Sequence, residues 1–259
     1  MRITTWNVNS LKVRLGHVLE WLAANPVDAL CLQELKLTDD KFPVAEIAAA
    51  GYRSFFIGQK TYNGVAILVR DGLEIDEVDI TRNIPGFDDP QQRLIAVTVS
   101  GVRVISAYFP NGQAPGTEKF AYKLEWLAAL EKWIAAELTR HPRLALTGDF
   151  NIAPDDRDVH DPAKWVGQNL VSPEERGAFM RLIDLGLSDS FRQFDQAEKS
   201  FSWWDYRMFA FRRNAGLRID HVLLSEPLAK ACTACEIDKT PRALEQPSDH
   251  TPVTATFDI

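Results

Sequence analysis

The apolar stretches of this chain are short, and one after another they run into a carboxylate, a carboxamide, a phenol or an imidazole. Asn7 and Asn9 follow the first such stretch in TWNVNS, and Glu34 closes the next in LCLQELK. Tyr108 ends VISAYFPNG, and Asp149 and Asn151 follow RLALT in GDFNIAP. Asp220 sits inside LRIDHVLLS, and Asp249 and His250 precede the last apolar run in PSDHTPV. Runs of this length are strands rather than long helices. Strand ends from distant parts of a sheet fold converge on one edge, so the pattern predicts a single polar cleft built from the whole chain.

The intervening segments predict an α/β fold. Strands are expected at 2–8, 27–32, 52–57, 64–69, 74–80, 94–99, 102–108, 143–147, 217–224 and 252–257, with Ser100-Gly101 as a two-residue hairpin turn. Apolar spacing at Leu11, Leu15, Val18, Leu19 and Leu22 predicts a helix over 11–24. A longer one starts at the N-cap Thr117, keeps one face apolar to Leu138 and stops at His141-Pro142. A third covers 173–185, with Pro173 at its first position and Glu174-Glu175 in its first turn. Residues 155–172 are polar and read as a loop. No linker or repeat divides the sequence, so 1–259 is expected to be one domain of mixed, mostly antiparallel sheets covered by helices.

Composition removes several classes. No apolar run is long enough for a membrane span, and MRITTWNVNS lacks the apolar core of a signal peptide. Three cysteines (Cys31, Cys232, Cys235) build no disulfide framework, which fits the cytoplasm. The net charge of −7 runs against the basic balance expected of a nucleic-acid binder. Local charge outweighs the sum, however, and an acidic total also suits carboxylates gathered around a cation. One segment, 205–218, carries Arg207, Arg212, Arg213 and Arg218 against a single Asp.

Taken singly, these polar residues have bland readings. Asn7 alone is a turn or cap residue, Glu34 a metal ligand or salt-bridge partner, and His250 alone a structural histidine. Asp220 within an apolar strand needs a His, an Arg or backbone donors. As a set they are hard oxygen ligands that suit Mg²⁺ or Mn²⁺ rather than zinc. Cys232-Thr-Ala-Cys235 has no second pair and reads as strand cysteines. The absence of GxxxxGK[ST], GxGxxG and GxSxG argues against a nucleotide cofactor and acyl-serine chemistry.

In this order and spacing, WNVNSL, LCLQELK, AYFPNG, GDFNIAP, GLRIDHVLLS and SDHTPV, with FSWWDYR shortly before RID, resemble the exonuclease III family of abasic-site endonucleases. The resemblance covers essentially the whole chain. Separately, GDFN and SDHxPV occur across the wider endonuclease/exonuclease/phosphatase superfamily. It implies a four-layered α/β sandwich, two sheets face to face with helices outside. It also implies a metal shell of Glu34, the main Mg²⁺ ligand (Mn²⁺ as substitute), with Asn7, Asp249, Asp149, Asn151 and His250. Asp149 would be the general base or acid. Asn151, two residues on in an extended segment, would donate to the developing negative charge. Asp220 would fix the tautomer of His250, whose other nitrogen faces the phosphate. Tyr108 would hydrogen-bond the phosphate or act as a phenolate, the donor role fitting its ordinary pKa better.

Asn9 would support the metal edge and the substrate, and Lys36 would hold the local carboxylates, touch DNA or simply be solvated. Trp203, Leu217 and Ile219 would line a pocket for a flipped-out abasic sugar. Leu217 departs from family members that carry a tryptophan there, which would loosen that pocket. Gly167, in the loop bordering it, would leave room for the displaced strand.

The implied activity is that of a monomeric, Mg²⁺-dependent DNA-repair phosphodiesterase. It would cut double-stranded DNA 5′ to abasic sites, trim or unblock 3′ ends, or do both. The competing readings are a same-fold phosphatase acting on inositol phosphates or lipid headgroups, and a non-catalytic DNA-binding protein that keeps the fold.

Overall fold

The computed structural model describes residues 1–259. Its strands are β1 (Arg2–Asn7), β2 (Ala29–Gln33), β3 (Tyr52–Ile57), β4 (Val65–Arg70), β5 (Ile75–Arg82), β6 (Leu94–Val99), β7 (Val102–Tyr108), β8 (Leu144–Asp149), β9 (Leu187–Asp189), β10 (Asp220–Ser225), β11 (Cys232–Ile237) and β12 (Val253–Phe257). The helices are α1 (Leu11–Ala24), α2 (Val44–Ala49), α3 (Glu118–Arg140), α4 (Pro162–Trp165), α5 (Pro173–Asp184) and α6 (Glu226–Ala231). The strands form two six-stranded sheets, ordered β11-β12-β1-β2-β4-β3 and β5-β6-β7-β8-β10-β9. Each sheet contains one parallel pair, β1–β2 and β7–β8, and antiparallel pairs elsewhere. Both parallel pairs are joined by a long helix, α1 and α3, because parallel strands need a crossover.

Alternation along the strands builds the layers. Ile3, Ala29, Cys31, Val104, Ala145, Val222 and Val253 point between the sheets. Trp6, Leu30 and Leu32 point outward beneath α1 and α2, and Leu144, Leu146 and Leu223 pack with Trp126, Leu130, Ile134 and Phe179 of α3 and α5. This is the expected sandwich of two sheets with helices outside.

The hairpin and caps follow their chemistry. Ser100 and Gly101 both take positive φ (48° and 76°), as a type I′ turn demands. Thr117 accepts from the Phe120 backbone N at 3.2 Å. Ser172 and Glu175 form a reciprocal capping box at α5.

Two expectations are corrected. The segment 155–172 is more than a loop, holding a 3₁₀ turn at Asp156–Asp158 and the short α4. The strand expected over 217–224 opens only at Asp220. The Leu217 backbone is taken by Trp203 instead, with N–H···O bonds of 2.9 and 3.0 Å in the two directions. The buried Arg218 side chain meanwhile binds Asp158, Asp189 and His221. The basic segment is therefore less cationic than it reads, since Arg218 is neutralised inside the protein and Arg207 is paired to Asp205.

No helix is long and apolar enough to cross a membrane. All three cysteines are free.

Candidate active site

The cleft is the polar end of the inter-sheet core. Along β1, β2, β7, β8 and β10 the side chains facing between the sheets change from apolar to polar toward one end. Thr5 donates to Gln33 (3.2 Å), Gln33 to Ser106 (3.1 Å) and Thr147 to the Ile105 carbonyl (2.9 Å), which closes the apolar layer. Beyond that layer the same faces present Asn7, Tyr108, Asp149 and Asp220. Strand register sets them side by side, with Asp149 opposite both Tyr108 and Asp220. These groups lie at the C-terminal ends of the parallel strands and the N-terminal start of the antiparallel one.

Asn7 joins the two sheets. Its Nδ2 donates to Glu34 Oε1 at 2.9 Å and to Asp149 Oδ2 at 2.8 Å, and its Oδ1 accepts from the Asn9 backbone N at 2.9 Å. Asn7 thus offers its donor side to the acids, rather than the oxygen a metal ligand would offer. Asn9 donates to Asp249 at 2.9 Å and accepts from Lys36 at 2.5 Å, and Lys36 also pairs with Glu34 at 2.9 Å. Asp249 is held from its other side by Trp203 Nε1 at 2.9 Å. His250 Nδ1 meets both oxygens of Asp220, at 2.9 and 3.1 Å, while its Nε2 faces Asp149 Oδ2 at 3.6 Å. One ligand atom each from Glu34, Asp149 and His250 lies within 4.8 Å of the others. Asp249 stands outside this trio, linked to it through Asn9 and Lys36.

The backbone is bent to achieve this. Asn9, Glu34, Lys36 and Asn151 all adopt left-handed conformations (φ 45°, 53°, 56° and 50°). Non-glycine residues hold that region only where surrounding contacts impose it. Asn151 is consequently not extended, which corrects the sequence expectation. Its N–H caps Asp149 Oδ1 at 2.9 Å, its Nδ2 donates to the Phe109 carbonyl at 3.0 Å, and its Oδ1 accepts from Asn111 Nδ2 at 3.0 Å. Gly148 is required immediately before Asp149. At φ 148°, a Cβ there would lie 1.8 Å from the Ala107 carbonyl oxygen on the neighbouring strand.

Burial and charge shift the titrations. Burial pushes Asp149 up to about 7; the His250 charge, Asn7 and the Asn151 N–H oppose it, while Asp220 adds to it. Burial alone would lower His250, but Asp220 and Asp149 outweigh it and hold the imidazolium up to about 10. Burial, then the charges of Glu34 and Asp149, push the Tyr108 phenol well above its ordinary value. Asp249 is held below the usual carboxylate range: burial opposes this, and the His250 charge and the Trp203 and Asn9 hydrogen bonds prevail.

The remaining expected residues divide. Trp203 is half-buried beside Asp249, whereas Leu217 and Ile219 are 0% and 2% exposed. They pack with Ala153, Val159, Leu170 and Val171 as a small core, with Trp203 against it. The 155–172 segment therefore does lie against this cluster, and exposed Gly167 has open space where a Cβ would be. Of the three residues expected to line the sugar pocket, only Trp203 is partly exposed.

Sequence reasoning missed the residues that brace the site. Ser202 donates to Asp220 at 2.6 Å and caps the Ile219 and Asp220 N–H groups, and Ser248 donates to the Asn7 carbonyl at 2.6 Å and accepts from His250 N at 3.2 Å. Arg93 lies 5.0 Å from the centre of the Tyr108 ring and donates to its carbonyl. The only signal was that both serines sit inside the quoted motifs.

The clustered carboxylate oxygens are donors for a hard divalent cation, which with the His250 imidazolium offsets their mutual repulsion. With a titratable acid and hydrogen-bond donors around the same point, the class defined is a metal-dependent hydrolase of phosphate esters.

Comparison with known proteins narrows this. The Endonuclease/Exonuclease/phosphatase family model matches residues 4–250. Exodeoxyribonuclease III of Haemophilus influenzae is 36% identical over 270 residues, covering 99% of this chain and all of that protein. Among solved structures, the 3′ phosphatase NExo from Neisseria, bound to product DNA hairpin, superposes with a TM-score of 0.96 at 52% identity, each chain covered 100%. An AP endonuclease from Archaeoglobus fulgidus gives 0.94 at 36% identity, again with 100% of both chains. This chain belongs to the Endonuclease/Exonuclease/phosphatase family. Within that family it is a nuclease, a hydrolase of phosphodiester bonds.

Proposed function

We propose that the chain is a DNA-repair nuclease that hydrolyses double-stranded DNA 5′ to abasic sites and at 3′ ends, acting as a monomer with Mg²⁺, for which Mn²⁺ can substitute. The observation that carries this reading is the Glu34, Asp149 and His250 cluster with Asp220 behind the histidine. The names of the relatives, an exodeoxyribonuclease, a 3′ phosphatase and an AP endonuclease, supply the substrate class.

Glu34 and Asp149 would hold the cation, with Asp249 at its edge and Asn7 holding the two carboxylates in place. Once bound, it supplies Lewis-acid polarisation of a phosphate oxygen. Asp149 takes or returns the proton of the attacking water or the leaving group. Asp220 holds the charged imidazole of His250 so that Nε2–H points at the phosphate rather than rotating away. Tyr108 keeps its proton at neutral pH and acts as a donor, which disfavours the phenolate role. Asn151 gives one amide proton to Phe109 and keeps the second for the developing negative charge. Trp203, Asn9 and Lys36 border the path of the DNA backbone.

The test uses purified protein on three duplexes, one with a stable abasic analogue, one with a recessed 3′ end and one with a 3′-phosphate. Mg²⁺-dependent hydrolysis that EDTA abolishes and Glu34→Gln cripples is expected. Failure on all three with either Mg²⁺ or Mn²⁺ refutes the reading.

A further inference from the structure

Beneath the cleft lies a charged side chain that the chemistry above does not use. Lys123, on α3, is fully buried. Its Nζ donates to the Asn151 carbonyl at 2.7 Å, to the Asn111 carbonyl at 3.2 Å and to the Glu175 carboxylate. Three acceptors for three N–H groups is the full complement of an ammonium. The acceptors come from three separate segments: the turn after β8, the turn after β7 and the first turn of α5.

Two of those segments carry part of the cleft, and the third anchors the segment beside it. Asn151 follows Asp149, and Asn111 follows Tyr108. Asn111 Nδ2 donates to Asn151 Oδ1 at 3.0 Å, so the two residues whose backbone carbonyls Lys123 holds are also joined through their carboxamides. Glu175 accepts from the backbone of Leu170 and of Ser172, at 3.1 Å each, and so anchors the end of the 155–172 segment. Asn169 of the same segment donates to the Asn111 carbonyl at 2.8 Å. The chain makes room for this cation: at Gly112, in left-handed backbone with φ 87°, a Cβ would fall 2.9 Å from Lys123 Cδ. Asn151 too is left-handed, and Lys123 holds its carbonyl in that conformation.

We propose that Lys123 is a positioning residue, a buried ammonium that fixes the Asn151 and Asn111 carbonyls and thereby aims the Asn151 carboxamide at the substrate phosphate. The proposal rests on the role given to Asn151 above. Lys123 has no exposure and cannot touch DNA; it acts through Asn151. A buried Lys–Glu pair that served packing alone would be replaceable by apolar groups of similar volume. Here two of the three N–H groups go to carbonyls of the turns that bear the cleft.

The experiment measures single-turnover rate, DNA affinity and melting temperature for K123M, N151A and K123M/N151A on the abasic-analogue duplex with saturating Mg²⁺. Methionine keeps the stem and removes the charge. If Lys123 aims Asn151, K123M slows turnover about 10- to 100-fold, the range for loss of a group behind a reacting residue, with DNA affinity held within about threefold. In the N151A background the same substitution then slows turnover by less than about threefold. An equal slowing in both backgrounds, or a lower melting temperature with unchanged turnover, overturns the proposal. N151A with wild-type turnover instead overturns the role of Asn151 itself, a separate and recognisable result. Should K123M not fold because Glu175 is left unpaired, K123M/E175Q removes both buried charges and is read in the same way.

Discussion

Replacing Asp220 by asparagine isolates the contribution of one buried charge. The Asp220 side chain has no exposure and receives His250 Nδ1 at 2.9 and 3.1 Å and the Ser202 hydroxyl at 2.6 Å. Asparagine fills the same space, so packing is conserved, but it removes the counter-charge and can present an NH₂ group to Nδ1. The imidazole then favours the opposite tautomer, and Nε2 faces the cleft without a proton. In a carboxylate–histidine pair this error costs about 10²–10⁴-fold in turnover, or about 3–5 kcal/mol of transition-state stabilisation. The histidine should also titrate lower than the value of about 10 that its acidic neighbours impose. Single-turnover cleavage of the abasic-analogue duplex gives the first quantity, and nitrogen-15 NMR of the imidazole gives the second. A D220N protein whose histidine titrates lower yet cleaves within threefold of wild type would refute any use of that charge. One whose histidine titration does not move would refute the geometry.

Two further outcomes concern the scaffold. Burial and the Arg218 charge hold His221 down to about 4, so the native protein stays neutral there while the unfolded chain takes up a proton. Stability should therefore fall as pH drops from about 6.5 through 4, by about 3 kcal/mol in full, and urea unfolding of wild type and H221Q should show that slope flattened in the variant. An identical slope in both sinks the assignment. Gly148→Ala drives a methyl into the Ala107 carbonyl at 1.8 Å and should cost about 4 kcal/mol or more, leaving little soluble protein; a variant with wild-type melting temperature and turnover would contradict the packing described.

Much of this was legible in the sequence, for identifiable reasons. The strands at 52–57, 94–99 and 102–108 and the helix at 11–24 match their expected bounds because their periodicity is local and their turn residues are unambiguous. The cleft could be anticipated because each of its groups stands at the end of an apolar run, and buried carboxylates need partners. Lys123 was invisible because a lysine in an amphipathic helix normally faces water, and its partners lie 28 and 52 residues away. Leu217 and Ile219 were assigned to a sugar pocket by the family resemblance, and LRID reads locally as continuous strand. Arg218 instead turns into a charged cluster formed with Asp158, from the supposed loop, and pulls its neighbours into packing that no local pattern encodes. The left-handed Asn151 was equally hidden, since only its distant braces impose that conformation.

The position of β1 has a consequence for biosynthesis. It lies between β2 and β12, and the Ser248 hydroxyl reaches the Asn7 carbonyl across 241 residues of sequence. A nascent chain still short of that point contains Glu34 and Asp149 but neither His250 nor the strand that completes its first sheet. The Glu34, Asp149 and His250 cluster therefore forms only once segments far apart in the sequence have paired through β1 and β12.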